Sequence, residues 1–135
     1  MTRTYKAAAQ QPPHETKESG QRDEFSSGTL RAPDTGRPRF DLLVSETVPC
    51  DQHLLTRCAA LMERGAQKYS SRNGEKADSL AELEDIKASA FHHFIQWLTG
   101  ETDEDHAAAV VFDLLAAEAT AYRIGQRVEN GEPGL

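Results

Sequence analysis

Cysteine is scarce in this chain. Among 135 residues only Cys50 and Cys58 carry thiols, and neither their number nor their spacing suits a secreted disulfide framework or the paired CxxC ligands of a structural zinc site. Both read as reduced thiols, Cys58 as a buried helical one. Long apolar runs are missing too. No segment approaches the roughly 18 apolar residues of a membrane span, and the N-terminus has no apolar core of signal-peptide length. The expected protein is soluble and cytoplasmic. Basic charge is also in deficit: a formal net charge of -7 argues against coating nucleic acid or an anionic membrane. Aromatic residues make up 7% and form no stacking platform for bases, so no nucleic-acid partner is expected. The signatures GxxxxGK[ST], GxGxxG and GxSxG do not occur. Any phosphate must therefore be held by arginine, lysine and a metal ion.

What is present is uneven. Residues 1–37 concentrate Pro, Gln, Ser and Thr without an aliphatic run and read as a disordered arm. A domain at 38–126 and a flexible tail at 127–135 complete the expected organisation. A domain of about a hundred residues buries only about 60–65% of its unfolded surface, so association of subunits would help it. Where the arm ends, Pro33, Gly36 and Pro38 prevent regular structure, and Phe40, Leu42 and Leu43 give the first apolar anchor. A short β segment there would lack a partner strand.

Three helices follow from spacing. Leu54, Cys58, Leu61, Met62, Gly65 and Tyr69 recur at three and four residues, with Glu63 and Gln67 on the opposite face and Asp51 as N-cap. Asn73-Gly74 is a turn signal, and Lys68, Arg72 and Lys76 make a basic cluster around it. Leu80, Leu83, Ala90, Phe91, Phe94 and Leu98 share one side of a second helix, from about Leu80 to Thr99. Ser79 and Glu82 form a capping box and Gly100 ends the helix. The third helix carries Val110, Val111, Leu114, Leu115, Glu118 and Ala121, capped by Thr102 with Asp105. No βαβ alternation or internal repeat competes, so the expected fold class is an all-α bundle.

Glu82, Ser89, His93 and Gln96 fall in one polar stripe of the second helix, which turns His93 away from Phe91 and Phe94. A single histidine among aromatics is commonly a hydrogen-bonded packing residue. On the third helix His106 and Asp113 lie two turns apart on a face otherwise made of Ala109, Ala116 and Ala117; such small residues admit a packed helix or a ligand. Glu101, Asp103, Glu104 and Asp105 crowd the helix start, where the dipole stabilises carboxylates by a few tenths to about 1 kcal/mol each. That explains them without a metal. If a metal binds, oxygen-rich ligands and few thiols favour Mg²⁺ or Mn²⁺.

The order of the pieces "TGRPRFDL", "ERGAQKY", "RNGEKA" and "KASAFHHFIQWLTGETDEDHAAAVVFDLLAAE" resembles the phage and bacterial dATP/dGTP diphosphohydrolase N-terminal-type domain, grouped with the MazG-like all-α nucleoside triphosphate pyrophosphohydrolases. The likeness covers roughly residues 25 to 124. It runs through Gly36, Arg39 and Asp41, through Gly65, Lys68 and Tyr69, through Arg72, Asn73 and Glu75, through His93 and Trp97, and through Glu101, Asp103, Asp105 and His106. Three positions depart from it: Gln67 replaces the usual Glu, Gly74 the usual Trp, and Asp113 the common Asn.

The resemblance implies cleavage of a purine (deoxy)nucleoside triphosphate, dATP or dGTP, to monophosphate and pyrophosphate with Mg²⁺ or Mn²⁺. It implies metal binding by Glu101, Asp105 and Asp113, with Glu63 and Glu82 as further candidates. Lys68, Arg72, Asn73 and Lys76 would bind the substrate, and Glu75, His93 and His106 would be catalytic or orient ligands and water. By the same analogy the bundle is completed in a homo-oligomer, a dimer or tetramer, and a phage-encoded chain would work in the host cytoplasm. The alternative is a catalytically inactive nucleotide-binding or protein-interaction module of the same fold, which the Gln67 and Gly74 departures favour. A third reading is a helical subunit whose acidic helix start is only capping.

Overall fold

The computed structural model describes residues 22–31 and 36–133. Val44 and Ser45 mark the border between two compact units. In the first, Asp23–Glu24 (β1) pairs antiparallel with Leu30–Arg31 (β2), Glu24 opposite Leu30, around a turn in which Gly28 takes φ +82°. The expected lone segment thus has a partner strand, and it lies inside the stretch expected to be a disordered arm. The rest of that arm, 1–21 and 32–35, lies outside the described residues. A 3₁₀ turn at Phe40–Leu43 follows, with the Arg39 guanidinium paired to Asp41.

Among its described residues the second unit holds three α-helices: Leu54–Lys68 (α1), Leu80–Leu98 (α2) and His106–Glu129 (α3). The all-α expectation holds for this body. α2 and α3 form an antiparallel hairpin, and α1 packs mainly on α3. Between α2 and α3 sit Leu83, Ala117 and Ile124, with Leu80, Ile86 and Ala121 against them. Ala108, Ala109 and Ala117 are buried along α3; their small side chains let the helices approach closely. Leu83 is fully buried, a contribution of roughly 2–3 kcal/mol relative to exposure.

The caps differ from expectation at two helices. A 3₁₀ turn at Cys50–Gln52 takes up Asp51, and His53 becomes the N-cap of α1, its Nδ1 facing the Leu55 amide at 3.4 Å and its Nε2 the Ser45 amide at 2.9 Å. At α3 Asp105 itself is the N-cap, accepting from the Ala108 amide. The Ser79–Glu82 capping box of α2 is present as expected. α3 runs on to Glu129, into the segment expected to be a tail, because Arg127 is anchored to Asp78 and Glu132. Residues 134 and 135 of that segment lie outside the described residues.

The second half of α2 is turned opposite to what its apolar stripe suggests. Phe91 and Leu98 are exposed, as are Phe94 and Ile95, while His93 and Gln96 are half-buried toward the start of α3. Among the described residues no helix is long and apolar enough to cross a membrane.

Candidate functional site

Where α2 ends, Gly100 adopts φ +82° and reverses the chain, so that residues 101–105 lead straight into α3. This turn brings the polar stripe of α2 against the acidic start of α3. His93 and His106 meet there with their Nδ1 atoms 3.0 Å apart. His106 is buried, and its Nε2 lies 2.7 Å from an Asp103 carboxylate oxygen. A carboxylate only accepts, so the His106 Nε2 carries the hydrogen, and in the neutral ring its Nδ1 holds the lone pair. The bond to His106 holds the Asp103 carboxyl below its ordinary range. Gln96 donates to Glu101 at 3.0 Å and fixes that carboxylate beside the turn.

Beneath the histidine pair lies Asp113, buried in the α2/α3 seam. Burial pushes its carboxyl up, opposed by a hydrogen bond from Ser89 and by the nearby His93 ring. Its Oδ2 is buried without a hydrogen-bond partner. An isolated carboxylate oxygen in such a place requires a proton or a compensating cation. Among the described residues two sets of side chains offer ligand atoms within 4.8 Å of one another: His93, Glu104 and His106, and Glu101, Asp103 and His106.

Other expected metal ligands are engaged elsewhere. Asp105 accepts two hydrogen bonds from Arg57, both at 2.8 Å, and this pairing takes its carboxyl down to about 2. Both its oxygens thus serve the join of α1 to α3, one of them capping α3 as well. Glu82 is consumed by its cap: Ser79 Oγ and the amides of Asp78 and Ser79 all donate to it. It also lies eleven residues up α2 from His93, about 16 Å along the axis. Glu63 is exposed on α1.

The basic cluster is well separated from the histidines. Arg72, in the left-handed conformation at φ 58°, precedes a 3₁₀ turn at Asn73–Lys76 and pairs with Glu75. Arg123 of α3 holds this loop by donating to the carbonyls of Ala77 and Gly74. From His106 to Arg123 is about 25 Å along the α3 axis at about 1.5 Å per residue. The Lys68 ammonium lies over the Tyr69 ring, 5.0 Å from its centre, at the end of α1. Within one chain Lys68, Arg72, Asn73, Glu75 and Lys76 therefore form one group, and His93, Glu101, His106 and Asp113 another.

Several participants carried no weight in the sequence. Arg57 has no local signal, because its partner Asp105 is 48 positions away. Asp103 has one, its i,i+3 spacing to His106. Ser89 and Gln96 shared the His93 stripe, and Glu104 belonged to the acidic cluster, but only the α2/α3 turn shows what they face.

An all-α body with paired imidazoles, carboxylates at a helix start and a separate cationic loop has the donors a metal-assisted phosphate chemistry requires. The sequence model of the family described as dATP/dGTP diphosphohydrolase, N-terminal, matches residues 27–129, and the chain belongs to that family. The family description places it among nucleotide-hydrolysing proteins. No curated protein and no solved structure matches the chain.

Proposed function

We propose that the protein hydrolyses a purine (deoxy)nucleoside triphosphate, of the dATP/dGTP kind, to the monophosphate and pyrophosphate, with the help of a divalent cation. The observation that supports it is the seam of α2 and α3, where two imidazoles and several carboxylates meet above an Asp113 oxygen without a partner. That orphaned oxygen and the mixed donor set fit a bound divalent cation. His93, His106 and Glu104 would hold it. Such an ion offsets the triphosphate charge and makes the α-phosphorus more electrophilic.

The chain's own residues do the rest. Asp103 keeps the His106 ring in one tautomer and orientation. Glu101, with one oxygen fixed by Gln96, accepts the proton of the water that attacks the α-phosphorus, and pyrophosphate leaves on the opposite side. Lys68, Arg72 and Lys76 bind the outgoing phosphates, Asn73 supplies a polar contact, and Glu75 orients Arg72. Because that group lies far along α3 from the histidines, the loop that serves one site belongs to another copy, and the active form is a homo-oligomer.

Incubation with each purine triphosphate and a panel of divalent ions tests this. Pyrophosphate and monophosphate should form in equal amounts, chelator should stop the reaction, and Glu101→Gln should reduce turnover by at least a hundredfold with its circular dichroism unchanged. Absence of turnover with every purine triphosphate and ion counts against hydrolysis. A second reading, a binding module without turnover, draws on the engagement of Asp105 and Glu82 in structural contacts; it expects nucleotide affinity indifferent to the ion and no product.

A further inference from the structure

We propose that His93, His106 and Glu104 form a binding site selective for a nitrogen-preferring divalent transition ion, of the Co²⁺ or Zn²⁺ type, that Mg²⁺ does not fill. This deepens the hydrolase reading by specifying the ion at that site, and it rests on that reading only for its consequence in catalysis.

Asp103 accepts from His106 Nε2–H, so in the neutral ring the nitrogen His106 turns toward His93 is the one with the lone pair. A carboxylate behind a histidine, fixing which nitrogen is free, is the arrangement that orients metal-bound imidazoles and raises their basicity. Two imidazole nitrogens each about 2.1 Å from one ion stand about 3.0 Å apart at the right angles of octahedral coordination and about 3.4 Å apart at the tetrahedral angle. The two Nδ1 atoms are already 3.0 Å apart. Without a cation, the same distance is a hydrogen bond from His93 Nδ1–H. Loss of that one proton from Nδ1, with Nε2 protonated instead, converts the contact into a pair of converging donors. Glu104 offers a carboxylate oxygen within 4.8 Å of both ring donors.

Asp113 is 7% exposed, turned toward the seam beside His93 and Ser89, with Oδ2 lacking any partner. A cation between the histidines adds positive charge on the side of the His93 ring, which already favours the Asp113 carboxylate. This is independent of the acidic residues around the turn, which the helix dipole would favour in any case.

Mg²⁺ takes oxygen ligands and sheds water reluctantly, whereas imidazole nitrogen suits the later first-row ions, with affinity rising from Mn²⁺ to Co²⁺ and remaining high at Zn²⁺. Two nitrogens in a set of three therefore discriminate against Mg²⁺.

The test needs no nucleotide. Untagged protein stripped with chelator is titrated with Co²⁺, following visible absorption and heat, and the histidine side chains are observed by ¹⁵N NMR during a Zn²⁺ titration. One ion per chain is expected, with His93 and His106 Nδ1 resonances shifted and 10 mM Mg²⁺ failing to displace the ion. His93→Ala should weaken binding at least a hundredfold and Asp103→Asn about ten- to a hundredfold, while Glu101→Gln should bind normally. Since an alanine at a packed position can disturb folding, the wild-type NMR shifts stand as a separate criterion. Absence of a Co²⁺ spectrum, unshifted His93 and His106 resonances, or displacement by Mg²⁺ overturns the proposal. Tight Co²⁺ binding with no hydrolysis of any triphosphate sinks the hydrolase reading alone; hydrolysis with Mg²⁺ by a protein that binds no Co²⁺ sinks this one alone.

Discussion

Asp105 shows how one side chain can satisfy two sequence interpretations and choose the plainer. Its position in an acidic cluster suggested a metal ligand, yet its oxygens answer Arg57 and the Ala108 amide. The pair joins α1 to α3, and the carboxyl falls from 3.8 to about 2 because Arg57 donates to it. A carboxylate whose pKa is lowered by folding adds stability that is complete above its unfolded value. That stability is lost as pH falls through the folded one. Arg57→Ala should therefore destabilise the fold by about 1 kcal/mol at pH 7, a figure already reduced for the partial exposure of both side chains. The gap to the wild type should close as pH falls from about 4 to about 2. Urea denaturation of both proteins at pH 7, 4 and 2.5 reads this directly, and a gap unchanged at pH 2.5 would show that the ion pair is not its source. Nothing near Asp105 in sequence reveals Arg57; the choice between cap and ligand was made by tertiary contact alone.

At the level of helices, local chemistry decided most of what is seen. The spacing of apolar residues placed all three, and the S-x-x-E signal at Ser79 gave the start of α2 because both halves of that box lie within one turn. α1 begins at Leu54, where its apolar spacing starts, but its cap differs because the 3₁₀ turn captures Asp51 and leaves His53 to cap. The rotation of α2 was harder to foresee. Phe91, Phe94 and Leu98 have the pattern of a core face, yet in the single chain the face carrying His93 and Gln96 meets α3. Periodicity identifies that two faces differ; it does not say which of them an intramolecular partner takes. The capping box also separates structural from chemical carboxylates. Ser79→Ala should cost about 1 kcal/mol of stability, and Glu82→Gln, which weakens the same contacts, should also destabilise the fold. Neither should change hydrolysis by more than about twofold at a temperature where both are folded. Thermal melts paired with a product assay check this, and loss of turnover in folded Glu82→Gln would restore Glu82 as a metal ligand.

For the molecule as a whole the central difficulty is distance. Arg123 ties the basic loop near the far end of α3, about 25 Å from His106, so one chain cannot present both to a single triphosphate. The unburied apolar side chains of the same body, among them Phe91, Trp97 and Leu98 of α2 and Leu114 and Leu115 of α3, are of the kind that a second copy covers in oligomers of small helical domains. If the site is shared, two defects on different chains should compensate. Glu101→Gln lacks the proton acceptor but keeps the loop, whereas Arg72→Ala/Lys76→Ala keeps the acceptor and lacks the phosphate grip. Each should be inactive alone. Mixed at equal amounts and allowed to exchange subunits, they should recover about one quarter of wild-type activity, since half of randomly formed dimers are mixed and each has one intact site. Light scattering should show a multiple of the chain mass in all samples. Wild-type turnover by a monomer, or mixed oligomers that form without any recovered activity, would require the triphosphate to be held by residues nearer the histidines than the Arg72–Lys76 loop.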